Sequence, residues 1–223
     1  MPTPYLLDPW ISYFKDISIV DTPIASQMSS HSRQITTQQV GQKAWVISFT
    51  INTPPISYST YRQMIAQIRQ LNITGSFAFS LVNAPVRLQN FAMAYMGSAT
   101  SAQLAAATVA ASTGSPLNYV NITGLPANTT IFLAGDYVQF GNSVRTVVNN
   151  SVSDGFGNLA LQVSEILPAY PTVGTGLIYG PNVVWNNCYF SPAGYPEIGL
   201  VSDYGKDSIA FKSKQIVLLQ SFC

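Results

Sequence analysis

The sequence predicts a mainly β protein with one amphipathic helix, and three observations carry that expectation. Apolar and polar residues alternate at period two in several short runs bounded by Gly, Pro, Asn and Asp. Only the stretch from Ser57 to Leu71 changes to a 3.6-residue period. The central stretch, Leu125 to Leu167, reads as strands and turns with almost no reactive chemistry.

At the start of the chain, Pro2, Pro4 and Pro9 surround Tyr5, Leu6, Leu7 and Trp10, and a strand is expected at Ile17–Val20. Met28 to Gln39 is polar and unpatterned, which predicts an exposed arm or loop suited to ordering on a neighbouring copy. Residues 44–51 form the clearest strand. Trp45, Ile47, Phe49 and Ile51 point one way, Val46, Ser48 and Thr50 the other, until Thr53-Pro54-Pro55 stops it. Ser57 then caps a helix whose stripe is Tyr61, Met64, Ile65, Ile68 and Leu71, with Arg62 and Arg69 outside it and Asn72 and Gly75 at its end. Phe77, Phe79 and Leu81 alternate again. The order strand, helix, strand is that of a helix covering one face of a sheet.

Composition shifts at 97–116, GSATSAQLAAATVAASTGSP. Alanine favours a helix over 101–111, but Thr100, Thr108, Val109 and the Ser/Gly flanks weaken it, so a linker followed by a strand is expected. Further on, Tyr137 and Gln139 alternate with Val138 and Phe140, and Gly141-Asn142 closes the strand. Val144, Thr146 and Val148 share a side opposite Arg145 and Val147. Asp154-Gly155-Phe156-Gly157-Asn158 offers residues that tolerate positive φ or bond their own backbone, hence a turn. Leu159, Leu161 and Val163 return on alternate positions, completing a β-meander. Pro168 to Gly180 is a crossing, residues 183–190 and 207–219 read as strands, and SPAGYPEIG between them as loop. Strand-like segments on both sides of the centre imply an insertion: 97–180 within a domain made of 1–96 plus 181–223.

The chain has 223 residues, enough for a sizeable core, and its 47% hydrophobic content excludes disorder. Charged residues make up 9%, against roughly 25% in an average domain. So few charges suit a subunit covered by its neighbours. A net charge of +1 and scattered basic residues, with only Lys206, Lys212 and Lys214 clustered, argue against nucleic-acid binding. Cys188 and Cys223 are too few for a disulfide framework and are expected as reduced thiols. Met1-Pro2-Thr3-Pro4 opens no signal peptide, and Leu104 to Ala111 is too short to span a bilayer, so synthesis in a cytoplasm and no membrane segment are expected.

No catalytic, cofactor or metal site is expected. His31, the only histidine, lies in the polar run SSHSRQ and reads as a loop residue rather than part of a triad. One His and two separated Cys cannot make a zinc site. Asp136, Asp154, Glu165, Glu197, Asp203 and Asp207 are the carboxylates from which a glycosidase pair would be drawn. Asp136 after Gly135 and Asp154 in a turn each have a local structural use, and DGFGN is too poor in acids for an EF-hand loop. GDYVQFGN and GTGLIYG lack the context of a phosphate-binding loop. The sequons at Asn72, Asn121, Asn128 and Asn149 carry no weight without a secretory signal. Trp10, Trp45, Trp185, Tyr179, Tyr189 and Tyr195 leave one alternative class open, a β-sandwich carbohydrate-binding module, with a glycan-active hydrolase behind it.

The run LAGDYVQFGN, the SDGFGN turn and LQVSEILPAYPTVGTGLIYG resemble the inserted unit of distal tail proteins of long-tailed bacteriophages. Leu133, Ala134, Gly135, Asp136 and Tyr137 resemble the family's L-x-A-G-D-Y strand without the residue between leucine and alanine, and Asp154, Gly155, Gly157 and Asn158 take the places of its turn. Pro168 and Gly176 take the proline and glycine that follow. Trp45, Phe49 and, less closely, Pro54 are similar to the pattern before its helix. The close match covers roughly a fifth of the chain. The resemblance implies a β-sandwich with one amphipathic helix and an inserted small β-barrel, OB-like or split-barrel. It implies a structural virion protein, a homo-hexameric ring at the tail tip between tail tube and hub or baseplate proteins. The inserted barrel would meet fibre or sheath proteins, and the genome would pass the channel without specific binding.

Overall fold

The computed structural model describes residues 14–22, 25–29, 35–39, 44–51, 77–86, 93–112, 117–190 and 216–220, with positions 63, 66, 67, 70 and 89. It is mainly β, built of antiparallel pairs. The first strands are β1 (Phe14–Thr22), β2 (Ala25–Ser29), β3 (Ile35–Gln39), β4 (Ala44–Ile51) and β5 (Phe77–Ser80). Next come β6 (Thr108–Val109), β7 (Tyr119–Thr123), β8 (Thr130–Phe132), β9 (Tyr137–Phe140) and β10 (Ser143–Thr146). The last are β11 (Ser151–Val152), β12 (Leu159–Gln162), β13 (Ile178–Tyr179), β14 (Val184–Phe190) and β15 (Ile216–Gln220). Two compact units divide the chain, one of Met1–Phe79 with Asn186–Cys223, the other Ser80–Trp185.

In the first unit a five-stranded sheet runs β1-β4-β15-β14-β5. β4 holds the register that its alternation predicts, pairing with β1 from Ile17↔Phe49 to Thr22↔Ala44 and with β15 from Ile216↔Phe49 to Leu219↔Val46. Trp45 and Ile47 are buried, while Val46 and Ser48 on the alternate positions are partly exposed. β5 departs from alternation, since all four of its residues are buried. Gln63, Ala66, Gln67 and Gln70 are helical, and Gln63, Ala66 and Gln70 are exposed. Their spacing marks the polar face of an amphipathic helix; the apolar stripe, Arg62 and Arg69 lie outside the described residues.

Met28 to Gln39, expected as an arm or loop, instead contributes to a β-hairpin. β2 and β3 pair from Ala25↔Gln39 to Ser29↔Ile35. Ile35, Thr36 and Thr37 are β-branched and suit a strand. Alternating polarity appears only where one face of a strand is covered, so a polar hairpin gives no such signal.

The second unit is organised around one core. Its buried members include Leu104, Val120, Ile122, Ile131, Phe132 and Leu161. The expected meander is only partly formed. β9 and β10 make a hairpin, Phe140↔Ser143 to Tyr137↔Thr146, around Gly141-Asn142. However, β12 pairs with β7, Leu159↔Ile122 to Gln162↔Tyr119, and touches the β10 end through the single bridge Val147↔Val163. The expected barrel is not closed either. The described strands form three sheets, β10-β9-β13, β11-β8 and β12-β7-β6. The shared apolar core, rather than a continuous ladder, holds the sheets together.

Local chemistry explains the joints. Residues 97–112 contain one helical turn, Ser101–Leu104, and then β6. The Thr100 hydroxyl accepts from the Gln103 amide while Gln103 Oε1 accepts from the Thr100 amide, a reciprocal cap that starts the turn. Leu104 and Ala107 are buried in the core. Val86, Gln89 and Met93 are also helical, in a segment to which the sequence assigned no element. The Gln89 side-chain amide anchors it, donating to the carbonyls of Leu81, Val82 and Ala84 at 3.0, 2.8 and 3.0 Å. Tyr95 packs edge-on against Phe132 and Tyr179, and its hydroxyl donates to the Ile131 carbonyl. Tyr170 spans β7 and the end of β6: its hydroxyl accepts from the Asn121 amide and donates to the Ala110 carbonyl, each at 3.0 Å.

Candidate functional site

The conspicuous polar residues of the second unit are put to work on its own backbone. Gly135, at φ +98°, turns the chain so that Asp136 points inward. Asp136 is buried, its Oδ2 accepting from the Leu133 amide at 2.8 Å and its Oδ1 from the Met96 amide at 2.9 Å. Burial raises its pKa above the ordinary carboxylate value, and the two amides pull the other way. A carboxylate tied to two amides locks the 133–136 turn to the chain that leads into the unit.

Asp154 does the equivalent work in the open. Its Oδ1 accepts from the amides of Phe156 and Asn158 at 2.9 and 2.8 Å, and its Oδ2 from the Asn158 side chain at 3.2 Å. The bonds from Asn158 lead in holding its carboxyl below the ordinary range. Gly157 completes the turn at φ +75°; a Cβ there would lie 2.2 Å from the Leu125 carbonyl oxygen.

Two side chains contradict a simple reading of faces. Gln139, on the expected polar side of β9, is buried; its Nε2 donates to the Gly141 carbonyl at 2.8 Å and its Oε1 accepts from the Val184 amide at 2.7 Å. Arg145 is buried too, donating from Nη1 to the Val144 carbonyl at 2.8 Å, with Nε 3.9 Å from Glu165 Oε2. Burial lowers its pKa and Glu165 opposes that shift. Sequence spacing does not join the two residues, which lie on separate segments.

Among the described residues, an open groove of about 580 Å³ lies at the sheet β12-β7-β6. Ala110, Ala111, Ala160 and the exposed Val152 line it with the edges of the buried Ile122 and Leu159, and Asn121, Asp154 and Asn158 form its polar rim. Those polar groups are engaged within the rim: Asn121 Nδ2 donates to the Ala111 carbonyl, and Thr123 Oγ1 donates to Asn158 Oδ1. Phe156 stands beside it at the tip of the 154–158 turn, 91% exposed.

The chain matches no known protein family and no curated protein. Asp136, Asp154 and Glu165 belong to three separate arrangements, each with a structural partner. His31, Glu197, Asp203, Asp207, Lys206, Lys212, Lys214, Trp10, Tyr195 and Cys223 lie outside the described residues. Among the described residues no three of His, Cys, Asp and Glu gather as a metal site. Trp45 and Trp185 are buried, Trp185 against Tyr137, so neither offers a face to a sugar. Tyr179 packs in the aromatic group with Tyr95 and Phe132, and Tyr189 lies in β14. Burial drives the Cys188 thiol far above its usual range, which makes it inert.

Proposed function

We propose that this protein is a structural component of a virion, a distal tail protein that closes into a six-fold ring at the tip of a long phage tail. The observation that carries the reading is the organisation of the chain: one unit drawn from both ends, interrupted by a second, mainly β unit. The interruption contains the motif residues of the resemblance. Asp136, Asp154, Gly135 and Gly157 serve its turns, which suits a scaffold rather than a reactive centre.

In this reading the five-stranded sheet of the first unit is one layer of a β-sandwich that builds the ring. A closed head-to-tail ring needs two different complementary surfaces on each copy, and a chain with 9% charged residues can bury both without stranding many ions. The tail tube and the hub or baseplate proteins meet the ring, and the second unit is free to take fibre or sheath proteins. The genome slides through; Arg145, buried as it is, offers nothing to phosphate. No helix among the described residues is long and apolar enough to cross a membrane. The protein is made in the host cytoplasm and ends in the tail tip.

Light scattering and negative-stain imaging of the full-length chain, alone and on tail particles, test the proposal. Closed rings of about six copies, in solution or at the tail tip, support it. Absence from the tail tip, together with glycan affinity or glycan hydrolysis by a monomer, would replace it with a sugar-directed function.

A further inference from the structure

Asp154 is the only aspartate in the sequence that is followed by glycine, and no asparagine is. Glycine has no side chain to shield its amide nitrogen, which can attack a preceding aspartyl carboxyl and close a five-membered succinimide. Gly155 meets that condition in the fold as well. It is exposed, nothing lies within 4 Å of its Cβ position, and among the described residues its amide donates to no acceptor. Asp154, by contrast, is held back. Its Oδ1 accepts from the Phe156 and Asn158 amides and its Oδ2 from the Asn158 side chain. Those bonds, led by the Asn158 amide, hold the carboxyl below its ordinary range. It therefore stays ionised, and a carboxylate is a far poorer electrophile than the neutral acid. Asn158 is itself fastened, its Oδ1 accepting from Thr123 Oγ1 at 2.9 Å, and Gly157 supplies the positive φ against the Leu125 carbonyl.

We propose that Asp154–Gly155 is a self-modifying site, closed while the 154–158 turn is bonded and reactive once it opens, at which the aspartate converts to isoaspartate. In the open turn the Gly155 nitrogen attacks Asp154 Cγ. A Cγ–N bond forms, one Cγ–O bond breaks, and the amide proton leaves with the carboxyl hydroxyl as water. A second water then opens the succinimide at the former main-chain carbonyl, so that the chain runs on through Cβ and Cγ. Water is the only other reactant. The product cannot rebuild the turn, because its main chain is a methylene longer. The Asp154 carbonyl oxygen, which accepts from the Asn128 and Gly157 amides at 3.2 and 3.1 Å, also becomes part of a side carboxylate. Conversion thus records that the turn has opened, and it loosens the tie between the 154–158 turn and Asn128. The site rests on the turn alone and is independent of the ring proposed above.

The test follows isoaspartate in the full-length chain incubated in mildly acidic buffer. It is read by methyl transfer from S-adenosylmethionine with an isoaspartyl methyltransferase, and located by fragment-ion mass spectrometry. The chain unfolded in guanidinium chloride should form isoaspartate at residue 154, and the folded chain at least ~tenfold more slowly, because reaction waits for local opening. Gly157→Ala, which strains the turn, should react ~fivefold or more faster than folded wild type. If that variant does not fold, Asn158→Ala takes its place, since it removes the side-chain bonds to Asp154 and Thr123. Gly155→Ala sets a methyl group beside the attacking nitrogen and should react more slowly than wild type, folded and unfolded alike. Folded chain that has converted should melt at a lower temperature than chain that has not. Equal rates in folded and unfolded wild type would overturn the proposal, because the turn would then guard nothing. So would an unfolded chain that forms no isoaspartate at residue 154, a turn variant that reacts no faster than wild type, or Gly155→Ala that reacts as fast.

Discussion

Asp136 and Asp154 are the same residue type placed to opposite effect. Asp136 uses two oxygens for two backbone amides in a buried setting. Asp136→Asn keeps one acceptor and turns an NH2 group towards the other amide. The expected cost is about 1–3 kcal/mol, read by chemical denaturation of the full chain, because a buried donor loses its acceptor; an unchanged midpoint would contradict the role given to Asp136. The pH dependence has opposite signs at the two sites. Asp136 has its folded pKa raised above the ordinary 3.8, so its contribution favours folding most below 3.8 and is lost as pH rises through the folded value. Asp154 has its folded pKa lowered from 3.8, so its contribution is full above 3.8 and is lost as pH falls through the folded value. Carboxyl-carbon NMR should find Asp154 titrating below Asp136; the reverse order would mean that the turn bonds or the burial are not those described.

At the scale of the element, the sequence was informative about faces and poor about neighbours. Trp45 and Ile47 in β4, and Leu159 and Leu161 in β12, are buried where period-two alternation puts them. Alternation fixes which side of a strand is covered, but it carries no label for the strand alongside, and so β12 pairs with β7 rather than continuing a meander from β10. Gln139 and Arg145 are buried for a related reason: a polar side chain goes inside when an amide or a carboxylate waits there, and the Val184 amide and Glu165 sit on remote segments. The reciprocal cap at Thr100 and Gln103 is local, yet it supports only one helical turn before Thr108 and Val109 turn to strand. The 154–158 turn was legible because its bonds lie within five residues of one another. It also separates two glycines. Gly157→Ala should destabilise by about 1–3 kcal/mol from its left-handed φ, with the clash against the Leu125 carbonyl added. Gly155 has open space at its Cβ position and no positive φ, so Gly155→Ala should lie within about 0.5 kcal/mol of wild type. Denaturation curves of the two variants side by side check this, and equal effects would rule the turn geometry out.

For the molecule as a whole, the flanking strand-like runs imply an insertion at 97–180, and the compact unit of the structure is Ser80–Trp185. Residues 80–96 give no period of their own, because Gln89 holds its segment through three carbonyls and Tyr95 through a single hydroxyl, contacts that composition does not reveal. The compact unit accordingly begins at Ser80 and ends at Trp185. Its core, from Ala99 to Leu167 with Tyr170, Leu177 and Tyr179 against it, is drawn wholly from within those limits. Its two ends also meet inside the unit, where Ser80 Oγ donates to the Pro181 carbonyl and Val184 donates to Gln139. A unit with its own core and joined ends should fold without the rest of the chain. Residues 80–185 expressed alone are therefore expected to give a dispersed amide NMR spectrum and one cooperative unfolding transition, with about 5 kcal/mol or more of unfolding free energy for a domain of this size. Cutting at 97–180 instead discards Gln89, Tyr95, the Met96 amide that holds Asp136, and the Val184 amide that holds Gln139. That shorter piece should melt at a lower temperature or fail to fold. Equal stability of the two pieces would show that residues 80–96 belong to the unit by position only, and that Asp136 and Tyr95 do not fasten them to its core.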